Sequence, residues 1–188
     1  MLGLRKGLGF SLVILILTSI MVMYSGMTYA FLFPGLAKQN VGETKTAWNA
    51  MQQAQIFKPT EPNIVRVELL SGWWRIGNPE KTPVTAKLYE ADENFLPKGE
   101  PLAEGEAIPE GVSKNFSIPL SVTELDTNKY YVLVFAPGET EENRWPLVLT
   151  ERNTTEWDEN EKAIYWHPTE NAWVDGGAVT YWIRIWSK

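Results

Sequence analysis

The clearest guide to the fold is the stretch Val84-Thr85-Ala86-Lys87-Leu88-Tyr89. Apolar side chains at 84, 86 and 88 alternate with Thr, Lys and Tyr, and this period of two is that of a β-strand with one buried face. The stretch Val65-Arg66-Val67-Glu68-Leu69-Leu70 has the same character. Further alternating or apolar stretches lie at residues 116–120, 130–135, 145–149 and 179–185. Short strands in this number predict an antiparallel sheet.

Turn signals separate these stretches. Eleven of the twelve prolines lie beyond residue 38, in groups such as Gly77-Asn78-Pro79 and Ala136-Pro137-Gly138. Proline cannot donate to a β-ladder and therefore marks edges and turns. We expect an all-β fold, an antiparallel β-sandwich of jelly-roll type over residues 55–188, preceded by one transmembrane-length helix.

The same region resembles a known group of modules. The most specific part is Leu96-Pro97-Lys98-Gly99-Glu100-Pro101-Leu102-Ala103-Glu104-Gly105, between Gln55-Ile56-Phe57-Lys58-Pro59-Thr60 and Lys129-Tyr130-Tyr131-Val132-Leu133-Val134. Residues 55–188 resemble the choice-of-anchor group of extracellular jelly-roll modules, which are similar in shape to carbohydrate-binding modules. The resemblance implies binding or display at a cell surface rather than catalysis.

An uncharged apolar segment opens the chain. After Arg5 and Lys6 no charged residue occurs before Lys38. As a helix, residues 8–33 would be roughly 39 Å long, which exceeds the ~30 Å hydrocarbon core of a bilayer. Pro34-Gly35 would end that helix. We therefore assign residues 1–37 to a transmembrane anchor or an export signal, with membrane lipid around residues 8–33.

Three fates are open to this segment. It is an uncleaved signal anchor, a signal peptide cleaved after Ala30 or Ala37, or a pilin-type leader and helix. The third rests on Arg5-Lys6-Gly7, which resembles a type IV prepilin leader, although Leu12 stands where that family has Glu. The short basic N-terminal flank predicts that the bulk of the chain is extracytoplasmic, at the cell surface.

Residues 38–54 are predicted to form a linker or a short helix. Within them Ala47, Trp48, Met51 and Ala54 have the spacing of one helical face.

Composition excludes several classes of function. The chain has a net charge of −6, and residues 38–188, with fifteen basic and 23 acidic side chains, carry −8. An acidic chain without a basic cluster is not expected to bind nucleic acid. The absence of Cys excludes thiol catalysis and Cys-ligated metals, and the single His167 excludes any site that needs two imidazoles.

Tryptophan is the residue in excess, and all nine lie beyond residue 38. In the last predicted strand Trp182, Arg184 and Trp186 alternate with the apolar face. They either line an outer surface that binds a glycan or a protein, or pack beneath neighbouring elements. Trp73 and Trp74 are adjacent and point to opposite faces of a strand, so one of them is expected on the outer face as a further binding candidate.

Evidence for catalysis or cofactors is weak. Acidic loops at residues 139–142 and 158–161 could hold a structural Ca²⁺ but lack a specific motif, so we predict no cofactor and no metal ligand. His167 lacks the partners of a catalytic base, and no catalytic residue is assigned. Asn153 and Asn115 begin glycosylation triplets, Asn153 being the better placed.

The sequence therefore predicts a non-catalytic, membrane-anchored, extracytoplasmic sandwich. It would bind glycans or proteins, or serve as an accessory subunit of a surface or membrane assembly. The alternative is a structural subunit of a pilin-like filament, a homopolymer with residues 8–33 in its core. A glycan hydrolase is a third option, which would need two carboxylates across a cleft.

Overall fold

The computed structural model describes residues 34–188, and every regular element in this range is a β-strand. The predicted membrane segment, residues 8–33, lies outside the described residues, as does the pilin-like leader. Within residues 34–188 there is no helix with the length and hydropathy needed to cross a bilayer. The prediction of antiparallel all-β structure is thus confirmed for the part described.

The strands of this range, in chain order, are β1 Gly35–Asn40, β2 Thr44–Trp48, β3 Gln53–Phe57, β4 Ile64–Leu70, β5 Val84–Ala91, β6 Pro97–Ala107, β7 Asn115–Val122, β8 Tyr131–Ala136, β9 Gly138–Thr140, β10 Asn143–Arg144, β11 Leu147–Glu151, β12 Ala163–His167, β13 Ala172–Asp175, β14 Val179–Tyr181 and β15 Ile183–Ser187.

The strands form two layers. The first consists of a four-stranded sheet, β1-β15-β4-β7, and a three-stranded sheet, β14-β11-β2. A bridge between Ser71 and Leu147 joins these two sheets, and Trp182 connects β14 to β15. The second layer is the six-stranded sheet β13-β12-β3-β8-β5-β6, and β9 with β10 forms a small hairpin.

Consecutive principal strands lie in different layers, except for β5 and β6, which are neighbours in the six-stranded sheet. The eight principal strands, numbered one to eight along the chain, are β1, β3, β4, β5, β6, β7, β8 and β15. In this numbering the four-stranded sheet has the order first, eighth, third, sixth. The six-stranded sheet contains the second, seventh, fourth and fifth as neighbours. The two layers approach each other closely where β6 passes β7, because a Cβ atom at Gly105 would collide with the carbonyl oxygen of Pro119. Glycine is required at that crossing.

The core lies between the layers and is built from the alternating residues. Side chains that are at most 2% exposed include Val67, Leu69, Ile118, Ile183 and Ile185 from the first layer and Ala86, Leu88, Leu133 and Phe135 from the second. Their neighbours in sequence point outward, as the alternation predicts.

The prediction of a linker or helix at residues 38–54 is wrong. Residues 44–48 form β2, which pairs with β11, and Gln53 already belongs to β3. The helical spacing was misleading because Trp48 packs against other strands of the sheets. Its ring lies edge-to-face on Tyr165, at 4.9 Å between centroids, and on Tyr181, at 6.1 Å. Tertiary packing outweighs a weak helical pattern in so short a segment.

The predicted boundaries at residues 37 and 55 are also corrected. Leu36–Ser187 form one compact unit, and β1 begins at Gly35, inside the segment assigned to the anchor. Long-range side-chain contacts tie β1 to this unit. Lys38 forms a buried ion pair with Glu161, and the indole N–H of Trp157 donates to the carbonyl of Gln39 at 2.8 Å.

Candidate functional site

The structure buries Trp182 in a small apolar cluster of the first layer. Its side chain is only 9% exposed and packs with Ala47 and Val148, while its backbone N–H donates to the carbonyl of Val148 at 2.9 Å. The guanidinium of Arg184 covers the ring, with Cζ 4.8 Å from its centroid. Of the two alternatives for this residue, packing beneath neighbours is the correct one, and Trp182 offers no surface to a ligand.

Trp182, Arg184 and Trp186 form the predicted stripe on the last strand, and the other two members of it are also covered by contacts with charged side chains. Arg184 donates to Glu68 at 2.8 Å across β15 and β4, and Arg66 stacks on Trp186 with Cζ 4.5 Å from the ring centroid. Trp186 is half-buried as a result. The register brings these pairs together, since Trp186 faces Arg66 and Arg184 faces Glu68. The stripe is a set of cation–π contacts that covers the outer face of the sheet.

Trp73 and Trp74 lie in the loop after β4 rather than on a strand. Trp74 packs against the cluster that contains Trp182, and Trp73 is 51% exposed. Their rings meet edge-to-face with centroids 4.8 Å apart, so Trp73 is held in place although it faces solvent. Exposed Val112 is close by, because the N–H of Ser113 donates to the carbonyl of Gly72 at 2.9 Å.

A groove of about 500 Å³ runs across the outer face of the six-stranded sheet. Its floor carries two cross-strand pairs of β5 and β8, Thr85 with Ala136 and Lys87 with Val134. The volume lies within the range of ligand sites, about 300–1,000 Å³. Leu96 and Trp173 add larger apolar side chains to its lining.

An aromatic wall encloses the groove on the side of β13. Trp173 lines it and packs on the cluster of Ala54 and Ile164. Trp173 also faces Trp166 on β12, with ring centroids 5.8 Å apart and planes at 75°. This edge-to-face contact fixes the ring that lines the groove.

The opposite wall is the turn between β5 and β6. Asp92 holds the turn by accepting hydrogen bonds from the N–H groups of Asn94 and Leu96, both at 2.8 Å. Phe95, with φ of 62°, packs edge-to-face on Tyr130 at 5.0 Å. Both walls pack on the same buried cluster, which includes Ala54 and Val132, so the groove lies between two walls with a common support.

Polar groups in the groove have little net charge. Tyr89, Gln52 and Asp92 contribute hydrogen-bonding atoms. Lys87 pairs with Glu104 at 3.1 Å, and this hydrogen bond raises the pKa of Lys87 above its usual value. An aromatic side chain beside hydrogen-bonding groups whose charges balance suits an uncharged ligand that has hydroxyls and apolar faces.

The acidic loop before β12 has a structural role. Glu161 is 2% exposed and accepts hydrogen bonds from Lys38 and from the backbone N–H groups of Lys58 and Asp158. Among residues 34–188 no group of three or more His, Asp or Glu side chains is placed to hold a metal ion. The Ca²⁺ option therefore receives no candidate site in the described part of the chain.

The remaining candidates are exposed or locally bonded. His167 Nδ1 accepts a hydrogen bond from the N–H of Glu170 at 3.3 Å. Asn153 is exposed, and its Oδ1 accepts from the hydroxyl of Thr155 at 2.7 Å, whereas Asn115 is exposed at the start of β7. Both acceptor triplets are accessible, and their modification stays a prediction.

Comparison with known proteins gives no support for any family: no family model matches the chain, and neither a similar curated protein nor a similar solved structure was found. The resemblance to choice-of-anchor modules and the functional prediction drawn from it therefore stay predictions, and functional argument rests on the geometry of the described residues.

Sequence reasoning missed the groove. Trp173 was not among the candidates because nothing local distinguishes it from a residue that packs a loop. The one available signal was the alternation of β5, which already places Thr85, Lys87 and Tyr89 on the outer face. Val134 and Ala136 in the floor and Trp173 in the wall lie 45 to 88 residues further along the sequence than that row, and no local pattern relates them to it.

Proposed function

We propose that this protein is a non-catalytic, membrane-anchored, extracytoplasmic module that binds glycans in the groove of its six-stranded sheet. The observation that carries the proposal is the groove itself, in which Trp173 presents a fixed aromatic ring beside a floor that contains Thr85, Lys87 and Val134. Sugar rings have apolar faces that stack on aromatic rings and hydroxyls that bond to neutral polar groups.

The strand order supports the same class of module. Eight principal strands in the orders first-eighth-third-sixth and second-seventh-fourth-fifth correspond to a jelly roll made of two Greek keys. This agrees with the expected resemblance to choice-of-anchor and carbohydrate-binding modules. A shared fold does not by itself carry function, so the argument for glycan depends on the groove.

Membrane anchoring is proposed from the sequence of residues 8–33. Of the two signal-peptide cleavage positions, Ala37 is less compatible with the fold than Ala30. Cleavage there would cut within β1 next to buried Lys38, and the carbonyl of Ala37 accepts a hydrogen bond from Thr60 at 2.7 Å. N-terminal sequencing of the natural protein distinguishes an anchor, which begins at Met1, from a leader-cleaved form at Leu8 and a signal-cleaved form at Phe31. Leu8 together with filaments in negative-stain images would favour the alternative, a filament subunit.

Binding is tested with the full chain in detergent against an array of polysaccharides and oligosaccharides. We expect retention of at least one glycan and a loss of about tenfold or more in affinity for Trp173→Ala, since each tenfold corresponds to about 1.4 kcal/mol. Trp73→Ala is the matched control, because Trp73 is an exposed indole outside the groove. Equal affinity of Trp173→Ala and the parent chain would refute the groove as the site, and release of shorter sugars would indicate a hydrolase instead.

A further inference from the structure

The floor of the groove in the six-stranded sheet contains an apolar strip. Val134 and Ala136 lie on the same face of β8, two residues and therefore about 7 Å apart, and both are partly exposed. β8 lies between β3 and β5, so other groove residues flank this strip on both sides. Neither side chain has a polar atom, and a ligand hydroxyl placed over them would lose its hydrogen bonds to water.

Hydrogen-bonding side chains stand on either side of the strip. Thr85 on β5 is the cross-strand partner of Ala136. On the other side Gln53 pairs with Phe135, so Gln52, the residue before it, lies beside Ala136. Neighbouring strands are about 4.8 Å apart. The register therefore places the hydroxyl of Thr85 and the exposed carboxamide of Gln52 on opposite sides of one small apolar position.

The indole of Trp173 is close to the same strip. Trp173 packs on the cluster that contains Ala54, and Ala54 is the cross-strand partner of Val134. An aromatic ring in this position can stack on the apolar face of a sugar. A sugar that stacks there has a ring substituent within reach of Val134 and Ala136.

The charged side chains that line the groove are engaged with neighbours. The ammonium of Lys87 pairs with Glu104 across β5 and β6 at 3.1 Å. Oδ1 of Asp92 accepts the two backbone hydrogen bonds that hold the turn after β5. An ammonium or a carboxylate of a ligand, placed over Val134 and Ala136, would lose its hydration without gaining a partner from the strip. The strip therefore suits an uncharged group.

We propose that the groove recognises glycans that contain an N-acetylated amino sugar. The methyl of the acetamido group lies on Val134 and Ala136, its N–H donates to the side-chain oxygen of Gln52, and its carbonyl accepts from the hydroxyl of Thr85. The N–H and C=O of a trans amide point in opposite directions, which matches one polar partner on each side of the strip. This inference rests on the proposed glycan function of the groove and deepens it by naming the sugar.

Three common alternatives fit this arrangement less well. A neutral hexose presents a hydroxyl where the floor is apolar, and it has no methyl group to cover Val134 and Ala136. A deacetylated amino sugar presents an ammonium there, and a uronic acid adds a carboxylate. Each of these polar groups would lose water at the strip without a hydrogen bond in return, which lowers affinity.

The test compares oligosaccharides that differ only in the substituent on the second carbon of each sugar. The full chain in detergent is titrated calorimetrically with chitotetraose, with its deacetylated form and with cellotetraose. Galactose and N-acetylgalactosamine oligosaccharides form a second such comparison. In at least one comparison we expect binding of the acetylated sugar to be tighter by about tenfold or more. In saturation-transfer NMR its acetyl methyl should receive the strongest signal from the protein.

Variants of the strip test the placement of the acetamido group. Ala136→Leu fills the position of the methyl and should remove most of the preference for the acetylated sugar. Ser121→Leu, which adds the same bulk at an exposed position of β7 in the other layer, should preserve it. Gln52→Met keeps the length of the side chain but removes its hydrogen-bonding groups, so it should weaken the preference even if Ala136→Leu does not fold.

The other outcomes separate this inference from the proposed function. Equal affinity within both comparisons, tighter binding of the deacetylated sugar, or binding of other glycans only would overturn the inference and leave glycan binding intact. A preference for the acetylated sugar that survives both Ala136→Leu and Gln52→Met would have its source elsewhere and would also overturn it. Binding of no glycan on the array would overturn the proposed function together with this inference.

Discussion

Lys38 and Glu161, which are 123 residues apart in the sequence, form an ion pair whose side chains are only 5% and 3% exposed. The pair joins β1 to the loop before β12. The Glu161 carboxylate also accepts hydrogen bonds from two backbone N–H groups, so both of its oxygens are hydrogen-bonded. A buried pair of this kind contributes little against an apolar replacement of both partners, but removing one partner leaves a buried charge.

Replacement of Lys38 by methionine should therefore be strongly destabilising. Lys38→Met preserves most of the side-chain volume and removes only the charge, which leaves Glu161 buried without its cation. We expect a loss of about 3–5 kcal/mol in the free energy of unfolding, measured by urea denaturation. Lys45→Met is the control, since its pair with Glu151 is exposed and should contribute at most about 1 kcal/mol. Similar small losses in both variants would contradict the burial of the Lys38 pair.

Trp182 should behave as a core residue. Trp182→Ala removes a side chain that is 9% exposed and takes away the ring under Arg184, so we expect a loss of about 3–5 kcal/mol. Trp73→Ala, at 51% exposure, should change stability by about 0.5 kcal/mol or less. A melting temperature unaltered by Trp182→Ala would mean that the Trp182 side chain is exposed to solvent.

Stability should decline in alkaline solution because of Tyr181. Burial raises the pKa of Tyr181 well above 10.0, and its hydroxyl donates to Gln53 at 2.9 Å. The folded state therefore keeps a proton that the unfolded state releases above pH ~10. This stabilisation is complete below that pH and is lost as pH rises, at up to about 1.4 kcal/mol per pH unit.

The pH effect is measured by urea denaturation between pH 8 and 11.5. Tyr181→Phe should reduce the alkaline slope, although it costs about 1–3 kcal/mol at pH 8 by leaving Gln53 Oε1 unpaired. Tyr89→Phe is the control, because Tyr89 lies on the outer face of β5. An identical alkaline slope in Tyr181→Phe would rule out this tyrosine as the source. A smaller contribution is expected from Tyr130, whose pKa is raised by partial burial and by its hydrogen bond to Asp158.

The crossing of β6 and β7 should not tolerate a methyl group. In Gly105→Ala the new Cβ would collide with the carbonyl of Pro119, which belongs to the rigid backbone of β7. We expect a loss of about 3 kcal/mol. Gly42→Ala is the matched control, because its nearest neighbours would be at 3.8 Å or beyond, and it should be neutral or slightly stabilising. Equal thermal stability of the two variants would contradict the close approach of the layers.

The sequence by itself determined the class of fold. The alternation around Val84, and at Val67 and Leu69, specifies which side chains turn inward, because side chains on a strand alternate whatever the partner strand is. It fails at Val65, where the register of β4 against β7 shifts and Ile64 is buried instead. The core face of the last strand was predicted for the same reason, and Tyr181, Ile183 and Ile185 are at most 2% exposed. Local geometry is sufficient for such predictions.

Only the tertiary structure decided what the outer faces do. Whether Trp182 is exposed depends on Val148 and Arg184, and whether Trp173 lines a groove depends on Trp166 and on strands far away in sequence. The error at residues 44–54 has the same origin, since β2 is a strand because β11 pairs with it. Pairing and covering are set by contacts between distant residues, and the period of a strand contains no information about which distant residues those are.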